Sequence, residues 1–354
     1  MKILEREIGS EAYAQGQTRM FRIPRNYAFR KLYLLLEVVM YRAAGQTGGA
    51  PKDSCPGQLV QNIMLRANGR DVIKYYDSME TMHRMNQINW GTRPHILGTE
   101  FYGSTGYDAI AVGAKVTQYI ACEIDFTMWR AIRPVDTLFN SAALSTLELI
   151  FTWAGNPDMV MNDAYDPAAP PGVVIDEATL YCGSLEAVGV PPETPLWTNK
   201  ESFIRKEITA AATNFQIDLP VGNFYRQFIL KTHSMGNQVN TILPIPNTIM
   251  LKAGTEVFKH RIAYLLQTNN RLYAMMEVPE RNDALGALCH ASQELLLEGY
   301  YLLDFVVDGR LTEMLDTRKL SSLTLELNVA RPGTNDWVDV FCCEIIKPVI
   351  EKSA

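Results

Sequence analysis

Histidine is the side chain most often found holding a catalytic metal or moving a proton, and this chain has five: His83, His95, His233, His260 and His290. No two stand two or four residues apart, so no HxH or HExxH ligand pair exists. Six cysteines (Cys55, Cys122, Cys182, Cys289, Cys342, Cys343) are scattered without CxxC spacing. They read as buried reduced thiols. Cys342 and Cys343 are adjacent, and adjacent residues of a strand point to opposite faces, which excludes a simple redox pair. No GxSxG elbow and no phosphate-binding GxxxxGK[ST] loop is present; the glycines at 45–49 lack the Gly-Lys-Ser/Thr ending and read as a loop tip. Asp158, Asp163 and Asp166 cluster in NPDMVMNDAYD (156–166), where oxygen ligands for Ca²⁺ could gather. Their spacing is not that of an EF-hand, and a solvent loop is expected. Glu148 and Glu326 sit on expected strands but out of register, so they do not form a glycosidase acid–base pair. The catalytic, cofactor-binding and metal-binding sets are therefore all empty.

The elements around these residues repeat. IMLRANGRDVIK (63–74) matches IMLKAGTEVFK (249–259) with one residue dropped. FRIPRNYAFRKLYL (21–34) matches IDLPVGNFYRQFIL (217–230), setting Pro24 on Pro220, Arg30 on Arg226 and Leu34 on Leu230. LSTLEL (144–149) matches LSSLTL (320–325), and LEREI (4–8) more weakly resembles IRKEI (204–208). In chain order the offsets are 200, 196, 186 and 176, a steady fall that longer loops in the first copy would produce. The chain thus reads as two copies of one unit, 1–198 and 199–354. They join through VGVPPETPLW (188–197), whose three prolines stiffen the crossing and cannot donate to a sheet.

Each unit is mostly strand. Residues 28–41 are rich in aromatic and branched side chains. Leu323, Leu325, Leu327 and Val329 alternate with polar residues, and 337–346 forms another strand. Asn68-Gly69, Asp308-Gly309, Pro332-Gly333 and Gly155-Asn156-Pro157 supply turns. Val72, Tyr75, Tyr76, Met79, Met82 and Met85 recur at three and four, which predicts a helix over 71–87 packed on its own sheet, with His83 solvated. Helices are also expected over 256–273 and 279–297. Long excursions are expected at 44–57, 90–114, 155–172 and 275–298. The economical arrangement is all-β with a few short helices: two tandem eight-stranded antiparallel jelly rolls. Regular strand–helix alternation, the mark of a parallel α/β sheet, is missing.

Composition narrows the partners. With 47% hydrophobic and 10% aromatic residues the chain can bury a sizeable core. Its net charge of −6 argues against a basic nucleic-acid face. No apolar run approaches the roughly 18 residues of a membrane span. The first fifteen residues hold no apolar signal core, so secretion is not expected.

Three stretches carry a family resemblance: IDLPVGNFYRQF (217–228) followed by IMLKAG (249–254); DGRLTEMLDTRKLSSLTLEL (308–327); and its first-copy counterpart VDTLFNSAALSTLEL (135–149). With the duplication, the chain resembles the double jelly-roll major capsid proteins of the tectivirus–adenovirus lineage over nearly its whole length. The resemblance implies an icosahedral coat protein found in the virion and made in host cytoplasm. It implies a pseudo-hexagonal homotrimer contacting neighbouring capsomers, penton and minor or cement proteins. It also implies an underlying lipid membrane. In one respect the sequence departs from the adenovirus end of the lineage: its loops are of moderate length, nearer those of the bacterial and archaeal viruses. A minor capsid or spike protein shares this class. Two other readings are a carbohydrate-binding β-sandwich using Trp90, Trp129, Trp153, Trp197 and Trp337, and a bicupin-like metalloenzyme, which the histidine spacing opposes.

Overall fold

The computed structural model describes residues 2–42, 50–51, 57–90, 96–98, 112–127, 137–142, 144–155, 160–161, 173–191, 196–233, 248–263, 265–266, 269–270, 299–306, 308–329 and 336–346. They form two compact units.

The first unit has eight principal strands: β1 (Lys2–Ala12), β2 (Thr18–Arg22), β3 (Ala28–Arg42), β4 (Val60–Ala67), β5 (Asp71–Ser78), β6 (Lys115–Asp125), β7 (Leu147–Trp153) and β8 (Val173–Val188). One sheet runs β1–β8–β3–β6 and the other β2–β7–β4–β5. Every pairing is antiparallel. The second unit has β9 (Thr198–Ile208), β10 (Ala212–Leu219), β11 (Phe224–His233), β12 (Thr248–Ala253), β13 (Glu256–Ile262), β14 (Tyr300–Asp304), β15 (Leu323–Val329) and β16 (Asp336–Ile346). Its sheets run β9–β16–β11–β14 and β10–β15–β12–β13. Adding eight to each strand number of the first unit gives the second. This is the eight-stranded jelly roll, present twice.

Alternation writes the two layers. Along β7 Leu147, Leu149, Phe151 and Trp153 are buried while the residues between them are half-buried, and β15 repeats the pattern with Leu323, Leu325, Leu327 and Val329. In the second unit these leucines join Ile217, Phe228, Leu230, Leu251, Val340 and Cys342 in one cluster fed by both sheets. Burying a large aliphatic side chain contributes about 1.5–3 kcal/mol, so a set of this size outweighs any single polar contact in the unit.

The helix over 71–87 is corrected. Residues 71–78 are β5, and α1 begins only at Met79 and runs to Trp90. Ser78 is the reason: its Oγ accepts from the Thr81 backbone N–H at 3.2 Å, an N-cap that ends the strand and starts the helix. The helix follows the fifth strand. Asn86 clamps it to the edge of β6, donating to the Glu123 carbonyl and accepting from the Glu123 N–H, both at 2.8 Å. The short strand Ile96–Gly98 pairs with Gln118–Ile120 on the same edge, so strand and clamp together cover it. In the second unit 256–262 is likewise strand β13, with helical backbone at Ala263, Leu265, Leu266, Asn269 and Asn270. The helix expected over 279–297 lies outside the described residues.

The repeat's dropped residue falls in the β4–β5 turn. Ala67 faces Asp71 across Asn68-Gly69-Arg70, whereas Ala253 faces Glu256 across Gly254-Thr255. Asn68, Gly69 and Gly254 all take positive φ, which Asn and Gly tolerate best.

Candidate functional site

The structure places few of the chemistry-bearing residues where they could react. His83 is fully buried, which corrects the solvated position expected for it: α1 is covered on every side and not on one stripe only. His260 is exposed on β13, opposite Met250, as Tyr75 lies opposite Met64. His95 and His290, the carboxylates Asp158, Asp163 and Asp166, the glycines at 45–49, and Cys55 and Cys289 lie outside the described residues. Cys122, Cys182, Cys342 and Cys343 are buried free thiols. Burial pushes the Cys182 thiol up to about 12 and raises Cys122 and Cys342 as well, which suppresses the reactive thiolate. Cys342 faces the core and Cys343 the other side of β16, where its sulfur accepts from Gln227 Nε2. Among the described residues no three His, Cys, Asp or Glu side chains gather as a metal site. Trp153 is buried in the core and Arg205 lies 4.6 Å over the Trp337 ring, so neither offers a free face for a sugar.

What the chain builds instead is one frame made twice. In the first unit the β3–β8 ladder skips Arg30, a β-bulge between Phe29–Glu186 and Lys31–Leu185; in the second the β11–β16 ladder skips Arg226 between Tyr225–Glu344 and Gln227–Cys343. Arg30 and Arg226 are counterparts in the sequence repeat. Each bulged residue's carbonyl accepts from the backbone N–H of a phenylalanine just past the next strand of that sheet, Phe126 and Phe305, both at 3.0 Å. Each phenylalanine carries a lysine over its ring: Lys74 Nζ at 5.9 Å and Lys259 Nζ at 5.2 Å. Those lysines face counterpart residues, Leu65 and Leu251. The short strands Phe139–Asn140 and Leu315–Asp316 then pair with the first two residues of β3 and β11. Immediately after them, Ser141 Oγ donates to the Tyr27 carbonyl and Thr317 Oγ1 to the Asn223 carbonyl, each at 2.7 Å. Within the stretches at 135–149 and 308–327 that carried the family resemblance, residues 139–141 and 315–317 are thus structurally equivalent.

No family model matches the sequence, and no curated protein does. Solved structures do match. The crystal structure of the STIV MCP is similar over 100% of this chain and 99% of that one, at TM-score 0.72 and 15% identity. A chain in the atomic structure of Sulfolobus Turreted Icosahedral Virus is similar over 99% and 93%, at 0.69 and 16%. The major capsid protein of Bacteriophage PM2 is similar over 99% of both chains, at 0.61 and 12%. The chain has the double jelly-roll fold of viral major capsid proteins.

The two jelly rolls share a frame but not a charge pattern. Glu186 and Glu344 are counterparts, facing Phe29 and Tyr225, and both are buried. Glu186 accepts from Arg6 Nε at 3.1 Å, from Arg6 Nη2 and from Ser184 Oγ at 2.7 Å. Glu344 accepts from neutral donors, Ser202 Oγ at 2.7 Å and Asn223 Nδ2 at 2.6 Å. Glu186 faces Leu4 of β1, and Glu344 faces Lys200 of β9. The true offset of the first strand is therefore 196, and the sequence match of Leu4 with Ile204 is displaced by four residues. On the other sheet Arg66 pairs with Glu148, at 2.8 Å. Its counterpart Lys252 faces Thr324 and reaches instead to Glu326, two residues along the same face of β15. The carboxylates are out of register, as read from sequence, yet each serves the same cation position.

Proposed function

We propose that this chain is the major capsid protein of an icosahedral virus, its jelly rolls 1–198 and 199–354 assembling as a pseudo-hexagonal homotrimer. The observation that carries the reading is the eight-strand order made twice on one bulge-anchored frame, with full-length likeness to structures named for viral capsids. A chain holding two equal wedges gives six in a trimer, and a three-fold block then fills six-fold lattice positions. Such a role calls for no catalytic residue, cofactor or metal, and none is assigned. The virion is the expected location, after synthesis in host cytoplasm, with penton, minor or cement proteins and neighbouring capsomers as partners. A prokaryotic host and an internal membrane beneath the shell complete the proposal; the names Bacteriophage PM2 and Sulfolobus Turreted Icosahedral Virus among the similar structures favour that host. No helix among the described residues is long and apolar enough to cross a membrane.

Native mass spectrometry of the purified chain tests the assembly. A species at three times the 39.8 kDa chain mass is expected. Monomer alone, under conditions that leave the fold intact, overturns the proposal. Electron microscopy of the source, with this polypeptide as the dominant band of icosahedral particles, tests the rest.

A further inference from the structure

Asn68-Gly69 is the only Asn-Gly dipeptide in the chain, and it forms the β4–β5 turn of the first roll. Both residues take positive φ, 54° and 69°, and the Arg70 N–H closes the turn on the Ala67 carbonyl at 3.1 Å. Asn68 also extends the ladder between β4 and β7, which ends at Ala67 opposite Leu147. Its backbone N–H donates to the Thr146 carbonyl at 2.9 Å. Its side-chain Oδ1 accepts from the Ser145 backbone N–H at 2.8 Å and from Ser145 Oγ at 3.1 Å. A backbone N–H can only donate, so the oxygen of the side chain, not its nitrogen, faces Ser145. The side-chain carbonyl thus takes the ladder place that the backbone carbonyl gives up when the chain turns. The second roll keeps the serine, as Ser321, but its turn opens on Gly254 at φ 57°, which has no side chain to offer.

The dipeptide is reactive for the reason that it turns well. Glycine puts no side chain beside its own nitrogen, so the Gly69 amide nitrogen can attack Cγ of Asn68. The new N–Cγ bond forms, the Cγ–Nδ2 bond breaks, and the Gly69 amide proton leaves with Nδ2 as ammonia. Water then opens the five-membered imide at either carbonyl and gives aspartate or isoaspartate. The net change is asparagine plus water to aspartate plus ammonia, with no oxidant or reductant. Asn68, Gly69 and Ser145 are exposed, so water is at hand. Geometry withholds the reaction. β4 lies between β7 and β5. Ser145 holds Oδ1, and with it Cγ, on the β7 side, while Gly69 leads the chain to Asp71 on the β5 side. Cγ meets the nitrogen only after Oδ1 leaves both donors. We propose that Asn68 is a latent deamidation site, locked by Ser145 and released when the β4–β5 turn opens. Its modification then records opening of the first roll alone. Aspartate keeps the acceptor for Ser145, whereas isoaspartate adds an atom to the backbone of the turn and parts Ala67 from Asp71.

The test holds the full chain folded and, in parallel, unfolded in guanidinium chloride at the same mildly alkaline pH. Asn68 is followed by peptide mass mapping and by methyl transfer with an isoaspartate methyltransferase. Two hydrogen bonds of ordinary strength correspond to a hold of roughly ten- to a hundredfold, so the folded chain is expected to deamidate at least ~10-fold more slowly. Ser145→Ala removes the Oγ donor at an exposed position. It is expected to keep the circular dichroism spectrum of the parent and to speed the folded reaction several-fold, with the unfolded rate unchanged. Hydrogen exchange at the Ser145 amide reads the lock without substitution: below the unfolding transition, added denaturant should raise Ser145 exchange and Asn68 loss in parallel. Equal rates in folded and unfolded chain overturn the lock. A folded Ser145→Ala chain as slow as the parent overturns the assignment to Ser145. A Ser145 amide that exchanges out of step with Asn68 loss overturns release through the turn. Asn68 intact in the unfolded chain overturns the site itself.

Discussion

Glu186 is a fully buried carboxylate whose cationic partner, Arg6, reaches it from β1 with 31% of its side chain still in water. Arg6→Met keeps most of the aliphatic stem and removes the guanidinium. Two charge-assisted bonds vanish, and the Ser184 Oγ bond to the carboxylate remains. Breaking a fully buried pair by deleting one partner costs about 3–5 kcal/mol. The open side of Arg6 lets water approach the orphaned oxygen, which lowers the expected cost to about 2 kcal/mol. With a urea slope of about 3 kcal/mol per M, the unfolding midpoint should fall by roughly 0.7 M at unchanged slope. The double variant Arg6→Met with Glu186→Gln removes the buried charge and should recover more than half of the loss. The counterpart Glu344, already served by neutral donors, marks such an arrangement as tolerated on this frame. An unchanged midpoint for Arg6→Met, or a double variant weaker than the single, would refute the reasoning.

Leu325→Ala opens a cavity at the centre of the second roll's core cluster and should destabilise by about 2–5 kcal/mol, whereas Thr324→Ala on the outer face should stay within about 0.5 kcal/mol, both read by chemical denaturation. Arg318 bonds to Asp316 through its side chain and backbone, which holds that carboxyl down at about 2. Because the folded value is depressed, its contribution to stability is present above the ordinary carboxylate value near 3.8 and is lost as pH falls through about 2. Carboxyl NMR should show this midpoint moving back up in Arg318→Ala. Cys122, Cys182 and Cys342 should stay unalkylated by iodoacetamide at neutral pH until denaturant is added, with peptide mass mapping as the readout.

The layers were legible because burial imposes a period. Leu323 to Val329 alternates without a break, and the chain has no other way to put four leucine and valine side chains on one face. The repeats were legible for the same reason, since counterpart strands need the same alternation and the same turn residues. Three features escaped. The stretch from Val72 to Met85 satisfies a helical period throughout, yet its first half is strand: the ladder slips near Ile73, disturbing the alternation that would have announced β5. Ser78, with Glu80 just after it, was the available signal for where the helix begins. The burial of His83 could not be read, because it depends on what covers the outer side of α1 and not on the helix's own sequence. The first strand's register slipped by four because LEREI and IRKEI share apolar ends and a basic residue followed by Glu, while the ladder is set by the partners Glu186 and Glu344.

Duplication within one chain explains a divergence that six identical subunits could not sustain. The frame is fixed by features that tolerate little change: the bulged arginine carbonyl, the phenylalanine that bonds to it, and the inward leucines. Outward positions answer only to their neighbours on the same face. Arg22 and Glu148 of one roll therefore become Asp218 and Thr324 of the other, while Glu326 moves in to keep Lys252 paired. In a ring of identical rolls every such change would appear six times and on both sides of every contact. In the proposed trimer, where each change is confined to one of two covalently joined rolls, it would appear three times and on one side.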